Sequence, residues 1–445
     1  MKSVTVNFQE TCGKIKPMHA VNNGPAGSRV RQTGNFKAYA EARIPYARLH
    51  DASFYSGYGG EWSVDVHRIF TDFSKDVDDE TAYDFTETDT YLQDILSVGT
   101  KIFYRLGASI EHRKKYGTYP PKDYLKWAKI CEHIIRHYNE GWANGFHMDI
   151  EYWEIWNEPD CENADGSNPC WQGTQEEFLT FYETAAKYLK GQFPALKIGG
   201  PAICWLGSGL AEKFLKYCKK QDVPLDFFSF HCYTKEMKTL LDRIQLGKKW
   251  LVENGYPKTE LILNEWNYIR GWLNEDWKYS LRMEKGLKGS SFVTGAMCVG
   301  QSSPLDMLMY YDARPCGMNG MFDTDTLAPL KTYYVIKAFS TLYELGNAVK
   351  TSSEKDVYVC GAVNGDKAAV LCTFYNDADD TPAEIIKLTM DGFAHSAGVK
   401  AKVYQVSKEN NLTLVKEELF TGDSYAILLK AELFTTYLIK LEKSK

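Results

Sequence analysis

Two rhythms of apolar and polar positions divide this chain of 445 residues. Up to about Gly346, short apolar runs alternate with longer stretches whose apolar residues recur at i, i+3, i+4 and i+7. The runs read as strands buried on both faces, the stretches as amphipathic helices. The predicted strands are Ile15–Val21, Ile44–His50, Lys101–Leu106, Tyr152–Glu158, Leu196–Gly200, Phe227–Tyr233, Leu261–Trp266 and Met307–Tyr311. Among the helices, Asp123 to Asn139 places Tyr124, Trp127, Ile130, Cys131, Ile134, Ile135 and Tyr138 on one face. Gln175–Leu189, Gly209–Lys220 and Met237–Glu253 behave alike, the last ending at Asn254-Gly255, a good stop signal. Alternation of this kind predicts a parallel sheet with right-handed crossovers. Eight units in roughly 330 residues predict a closed (β/α)8 TIM barrel. The long aromatic segment from Ala52 to Thr90 is expected to hold an active-site loop ahead of its helix.

After about Asn347 the period drops to two. Val357–Cys360, Ala368–Phe374, Ile385–Leu388, Lys402–Val406, Tyr425–Leu429 and Thr435–Leu441 follow one another, separated by turn signals such as Asn364-Gly365-Asp366. They predict a C-terminal antiparallel β-sandwich, joined by the strand Val4–Phe8. The expected division is a catalytic barrel over 13–346 and an accessory domain made of 1–12 plus 347–445.

In such a barrel, chemistry belongs at the C-terminal ends of the strands. The run Tyr152-Trp153-Glu154-Ile155-Trp156 halts at Asn157-Glu158-Pro159, because Pro159 cannot donate to a ladder and biases Glu158 toward extended geometry. The seventh strand ends the same way, with Asn264-Glu265. Strands four and seven lie across the ring from each other, so the two carboxylates are expected to meet over the mouth. A single Glu is most simply solvated or salt-bridged; two in matched settings point to acid–base work. Carboxylates about 5 Å apart suit glycoside hydrolysis with retention, and about 6.5–9.5 Å suit inversion. Strand residues alternate in direction, so Asn157 and Glu158 share a face only if the strand breaks or bulges.

Composition narrows the partners. With 44% hydrophobic and 25% charged residues the chain is an ordinary globular sequence. Its 29 Tyr and 11 Trp suit either a Tyr-rich core or stacking against sugar faces. A net charge of −6 argues against a nucleic-acid partner. Neither a leader of signal-peptide pattern nor 18 consecutive apolar residues is present, so no membrane partner is expected and the expected location is the cytoplasm. Eleven scattered Cys without CxxC pairs read as free thiols, although Cys161 and Cys170 could pair in an exported protein. His133 and His137 are four apart on a helix but lack the Glu of a zinc motif, and no phosphate or dinucleotide loop occurs. No cofactor and no metal are expected.

The segments Trp156-Asn157-Glu158-Pro159 and Leu263-Asn264-Glu265-Trp266-Asn267 resemble clan A glycoside hydrolases. Together with Arg48-Leu49-His50-Asp51, Ser229-Phe230-His231-Cys232-Tyr233 and the barrel-then-sandwich order, they resemble glycoside hydrolase family 39, which contains β-xylosidases, α-L-iduronidases and some arabinosidases. The resemblance implies Glu158 as acid/base, Glu265 as nucleophile and retention of configuration. It also implies Asn157 on the sugar 2-hydroxyl, Arg48 holding the nucleophile ionised, and Tyr233 and His231 beside it. His19, Asn22, Asn23 and Gly24 resemble a substrate-side segment of some members. His50, the strand-eight end (Tyr310, Tyr311, Asp312), and Trp272 and Trp277 on the loop after strand seven are further candidates for sugar contact. The expected activity is that of a retaining exo-glycosidase on a terminal β-D-xyloside or L-arabinoside. A uronide, needing a cation such as Arg314 or Arg270, a hexoside, and a non-catalytic carbohydrate-binding barrel are the alternatives.

Overall fold

The structure, a computed structural model, describes residues 1–28, 33–51, 63–110 and 117–444. Eight parallel strands close into a barrel: Ala20–Asn22, Tyr46–Arg48, Lys101–Leu106, Tyr152–Ile155, Lys197–Ile203, Phe227–Thr234, Glu260–Tyr268 and Met307–Tyr310. They are numbered one to eight below. Strand eight closes on strand one through Met309 opposite Ala20 and Tyr310 opposite Val21. Strand one starts later than the apolar run predicts. Pro17 has no N–H to give a ladder, and pairing begins only at Ala20.

The helices form where the 3.6 periodicity places them. Tyr124–Glu140 is capped by Asp123, whose side chain accepts from the Lys126 N–H, and it stops at Gly141 in the left-handed region. Its buried face carries Trp127, Ile130, Cys131, Ile134, Ile135 and Tyr138. Between strands two and three lie a short helix, Val66–Ile69, and a longer one, Thr86–Ser97; residues 52–62 of the expected active-site loop fall outside the described part. After strand seven the chain forms the helix Asn274–Glu284, so Trp277 sits on a helix rather than on the predicted loop.

Inside the barrel, side chains from the starts of the strands make an apolar floor of Ala20, Phe103, Tyr152, Phe227, Ile262, Met307 and Met309. Above it the inward positions turn polar, with Asn22, Arg48, Glu154, Ser229 and Asn264 all buried. That layer supports the mouth.

Gly27–Ser28 and Thr33–Gly34 make a small antiparallel pair, and nine further strands form one hydrogen-bonded sheet. Lys2–Lys14 lies within it, antiparallel to Asn347–Ser353 and parallel to Glu384–Asp391. The latter is the one parallel pairing of this sheet among the described residues. Residues distant in strand order, such as Val403 and Ile439 at one end and Leu388 and Ile427 at the other, share one apolar core. The sheet therefore curls over on itself as a sandwich. It is seated on the barrel helices Leu287–Ser302 and Lys331–Leu345, with the Ser291 hydroxyl 2.7 Å from that of Thr373. No helix among the described residues is long and apolar enough to cross a membrane.

Candidate active site

The strand-four end breaks as the alternation argument requires. Ordered strand stops at Ile155, and Trp156 and Glu158 adopt φ of 74° and 48°. Positive φ is costly for a ring-bearing residue and is tolerated where surrounding contacts over-determine it. Here the Trp156 N–H bonds Leu106 O at 2.7 Å, its indole N–H bonds Cys170 O at 2.9 Å, and its ring packs among Trp127, Trp171 and Phe181. Gly107 admits that ring, since a Cβ there would lie 3.0 Å from it. The Glu158 N–H is tied to Ala202 O of strand five at 2.9 Å.

Strand seven reaches the same result by a bulge. Leu263 opposes Phe230 while Glu265 opposes His231, leaving Asn264 as the extra residue. Asn264 and Glu265 therefore both serve the interior. Asn264 Nδ2 donates to Glu154 Oε1 at 2.5 Å, and its carbonyl accepts from Asn22 Nδ2 at 2.8 Å.

These two devices bring the acids together. One carboxylate oxygen of Glu158, one of Glu265 and a ring nitrogen of His231 all lie within 4.8 Å of one another. His231 stands between the acids, Nδ1 2.7 Å from Glu158 Oε1 and Nε2 3.6 Å from Glu265 Oε2. The Tyr233 hydroxyl donates to Glu265 Oε1 at 2.6 Å. Arg48 reaches Glu265 Oε2 at 3.3 Å, but its shorter bonds go to Glu154 Oε2 at 2.7 Å and Asn157 Oδ1 at 2.5 Å. His50 Nε2 lies 3.3 Å from Asn157 Nδ2 and 3.9 Å from Glu265 Oε2. Tyr311 shares the rim, its hydroxyl 3.3 Å from Asp51 Oδ2 and its ring 6.4 Å from that of Tyr233.

Burial governs the electrostatics. Glu158 is pushed well above the carboxylate range by desolvation. Glu265 is pushed up to about 7, burial and the nearby Glu158 outweighing His231 and Arg48. The Arg48 guanidinium is already balanced by Glu154, which sequence reasoning left without a role. A lone charge within the aromatic run Tyr152-Trp153-Glu154-Ile155-Trp156 was its only signal. Burial and Arg48 hold His50 well below its ordinary value, and burial lowers His231, so both rings are neutral near pH 7. His231 Nε2, His50 Nδ1 and Asp51 Oδ1 are buried without a hydrogen-bond partner among the described residues. Buried polar atoms in that state suit a polar ligand such as a ring of hydroxyls.

Other candidates stand elsewhere. His19 is a correction: it precedes strand one, its ring lying 5.3 Å from Phe339 and 5.0 Å from Tyr343 with Nε2 3.2 Å from Arg43 O. It is a core histidine away from the carboxylates. Asn23 is buried nearer the rim, but Asp312 and Tyr91 occupy its amide. The Tyr310 hydroxyl is held by Asn267 and Gly320 inside the fold. Trp272 is half-exposed and meets the Tyr233 ring edge-on at 5.0 Å, with Trp277 stacked behind it at 5.4 Å. Arg314 is taken up by Asp312 at 3.1 Å and by the Asp51 carbonyl. Arg270 pairs with Asp276 over the Tyr279 ring. All eleven cysteines are free; three of them, Cys161, Cys170 and Cys204, gather around Glu158.

The sequence model of glycosyl hydrolases family 39 matches residues 28–245. A β-xylosidase of Geobacillus stearothermophilus is 30% identical over 180 residues, 38% of this chain and 34% of that protein. A β-xylosidase of Caldicellulosiruptor saccharolyticus is 25% identical over 296 residues, 59% of this chain and 55% of that one. The chain thus spans between a third and just over half of the length of these relatives. In fold it is similar over all its length to a glucosidase from Croceicoccus marinus, with a TM-score of 0.81 at 19% identity and 99% of that chain covered. A monomeric β-xylosidase from Caulobacter crescentus gives 0.72 at 16% identity, with both chains fully covered. By its matched segment and these relatives, the chain is similar to glycoside hydrolase family 39.

Proposed function

We propose that the protein is a retaining exo-glycosidase that removes a terminal pentoside, a β-D-xyloside or an L-arabinoside, from an oligo- or polysaccharide. The observation that carries the reading is the approach of Glu158 and Glu265 to within 4.8 Å, the spacing of retaining rather than inverting pairs.

Glu158, kept protonated by burial, gives its proton to the leaving oxygen. Glu265, ionised above about pH 7, attacks the anomeric carbon and forms a glycosyl ester. Esterification removes the Glu265 charge, so Glu158 can then take a proton from the attacking water. Asn157 meets the 2-hydroxyl, and His50, His231 and Tyr233 hold the remaining edges of the ring. Trp272 offers a face at the rim, with Trp277 as its backing. Two matched relatives are β-xylosidases, which supports a pentoside. A uronide is disfavoured because both arginines suited to its carboxylate are neutralised by aspartates.

Nitrophenyl xyloside, both arabinosides, galactoside and glucuronide form the first panel. Proton NMR of the first-formed sugar should then show the same anomeric configuration as the substrate. Hydrolysis of none of them, or an inverted product, would overturn the reading.

A further inference from the structure

We propose that Cys161, Cys204 and the Glu158 carboxylate form a binding site for a thiophilic divalent cation of the zinc and cadmium type, and that its occupation blocks the proton donor. The two sulfurs and a carboxylate oxygen of Glu158 already lie within 4.8 Å of one another. A tetrahedral ion with metal–sulfur bonds of about 2.3 Å places two sulfurs about 3.8 Å apart, so small side-chain rotations complete the set. The sulfur of Cys170 waits behind it, 3.8 Å from Glu158 Oε2.

The backbone fixes this arrangement. Cys161 follows Glu158 by one tight turn, its N–H on the Glu158 carbonyl at 3.1 Å. Asp160, between them, accepts the N–H groups of Cys204 at 2.8 Å and Trp205 at 3.2 Å, clamping the strand-five end to that turn. Asn168 holds Pro159 O with its amide nitrogen and the Cys170 N–H with its oxygen. Two thiols of the loop after strand four and one at the end of strand five are thereby presented to one carboxylate. Cys161 and Cys204 are only partly buried. The reaction derived above gives no step to any sulfur.

Soft thiolates with a carboxylate select zinc or cadmium over magnesium or calcium. Binding takes both sulfurs as thiolates and displaces the Glu158 proton, leaving the carboxylate bonded to the ion and unable to serve as acid. Cation binding stands independently of the proposed function; only the loss of turnover rests on it.

The test titrates cadmium chloride into the reduced, metal-free chain, following cadmium–thiolate charge-transfer absorption and nitrophenyl xyloside hydrolysis on the same samples. The expected result is absorption that saturates at one equivalent, with hydrolysis falling in step and restored by a chelator. Cys161→Ser and Cys204→Ser should each lose that absorption and keep turning over in cadmium, while Cys12→Ser, on the N-terminal strand, behaves as the parent. No saturable absorption, or absorption that survives both substitutions, would overturn the site. Binding without loss of hydrolysis would overturn the blockade. The expected absorption in a chain that cleaves no glycoside would keep the cation site and remove the glycosidase reading.

Discussion

At the barrel mouth and at the seam between barrel and sheet, carboxylates sit beside cations, yet they are driven in opposite directions. At the seam, Lys288 is buried and its ammonium meets Asp377 at 2.8 Å, Asp379 at 2.9 Å and the Tyr279 hydroxyl at 3.0 Å. Burial alone would raise Asp377, but bonds from Lys288, Tyr268 and Lys235 outweigh it and hold the carboxyl below its ordinary value. Asp379 is lowered for the same reason. At the mouth the nearest cation is shared. Arg48 is engaged by Glu154 and Asn157, and the uncompensated burial pushes Glu158 and Glu265 up. The seam is satisfied and structural, whereas the mouth is left unsatisfied, the arrangement that acid–base chemistry needs.

Separating the two regions by mutation should show this. Glu158→Ala should lower kcat on substrates with poor leaving groups by about 10²–10⁴-fold. Activated aryl glycosides should suffer much less, and azide should restore their rate, because their departure needs little protonation. Melting temperature should scarcely fall, since a desolvated acid is removed. Lys288→Met should do the reverse. It strands two carboxylates and should cost about 2–3 kcal/mol by denaturant unfolding, below the figure for a fully buried pair because Asp379 is half-exposed, with kcat per folded molecule unchanged.

The smallest effect is also the most discriminating, because the two regions should titrate with opposite sign. Glu265 binds its proton more tightly folded than unfolded, so its contribution to stability is full below the ordinary value of 4.5 and is lost as pH rises through about 7. Glu265→Gln should therefore gain in melting temperature over the parent as pH rises from 5 to 8 and level off above. Asp377 binds its proton less tightly folded, so its contribution is present above the ordinary value of 3.8 and is lost as pH falls through the folded value. Asp377→Asn should be less stable than the parent at neutral pH, with the gap closing in acid. Parallel curves for the two variants would erase the contrast.

What the sequence revealed follows from which interactions are local. The strand and helix rhythms made the barrel and the curled sheet legible, and the matched Asn-Glu pairs singled out Glu158 and Glu265. The break at Trp156 was legible through Pro159 and the alternation conflict. The Asn264 bulge was not, because no residue type marks it and register is settled by pairing with strand six. Glu154 and Ser229, bonded at 2.6 Å across the barrel, are 75 positions apart, beyond any local pattern. His19 looked like part of a polar run continuing to Asn22 and Asn23, but it lies one residue before the ladder and turns into Phe339 and Tyr343. The thiol cluster draws on two loops: Cys161 and Cys170 stand near one another in sequence, but Cys204, from the end of strand five, was invisible for the same reason.

The central claim is that Glu265 attacks the anomeric carbon while Glu158 supplies the proton. Incubation with a 2-deoxy-2-fluoro xyloside carrying an activated leaving group, followed by peptide mass spectrometry, tests it most directly. The account predicts one added fluorosugar, esterified to Glu265. A label on Glu158, or steady release of fluorosugar with no trapped ester, would contradict it.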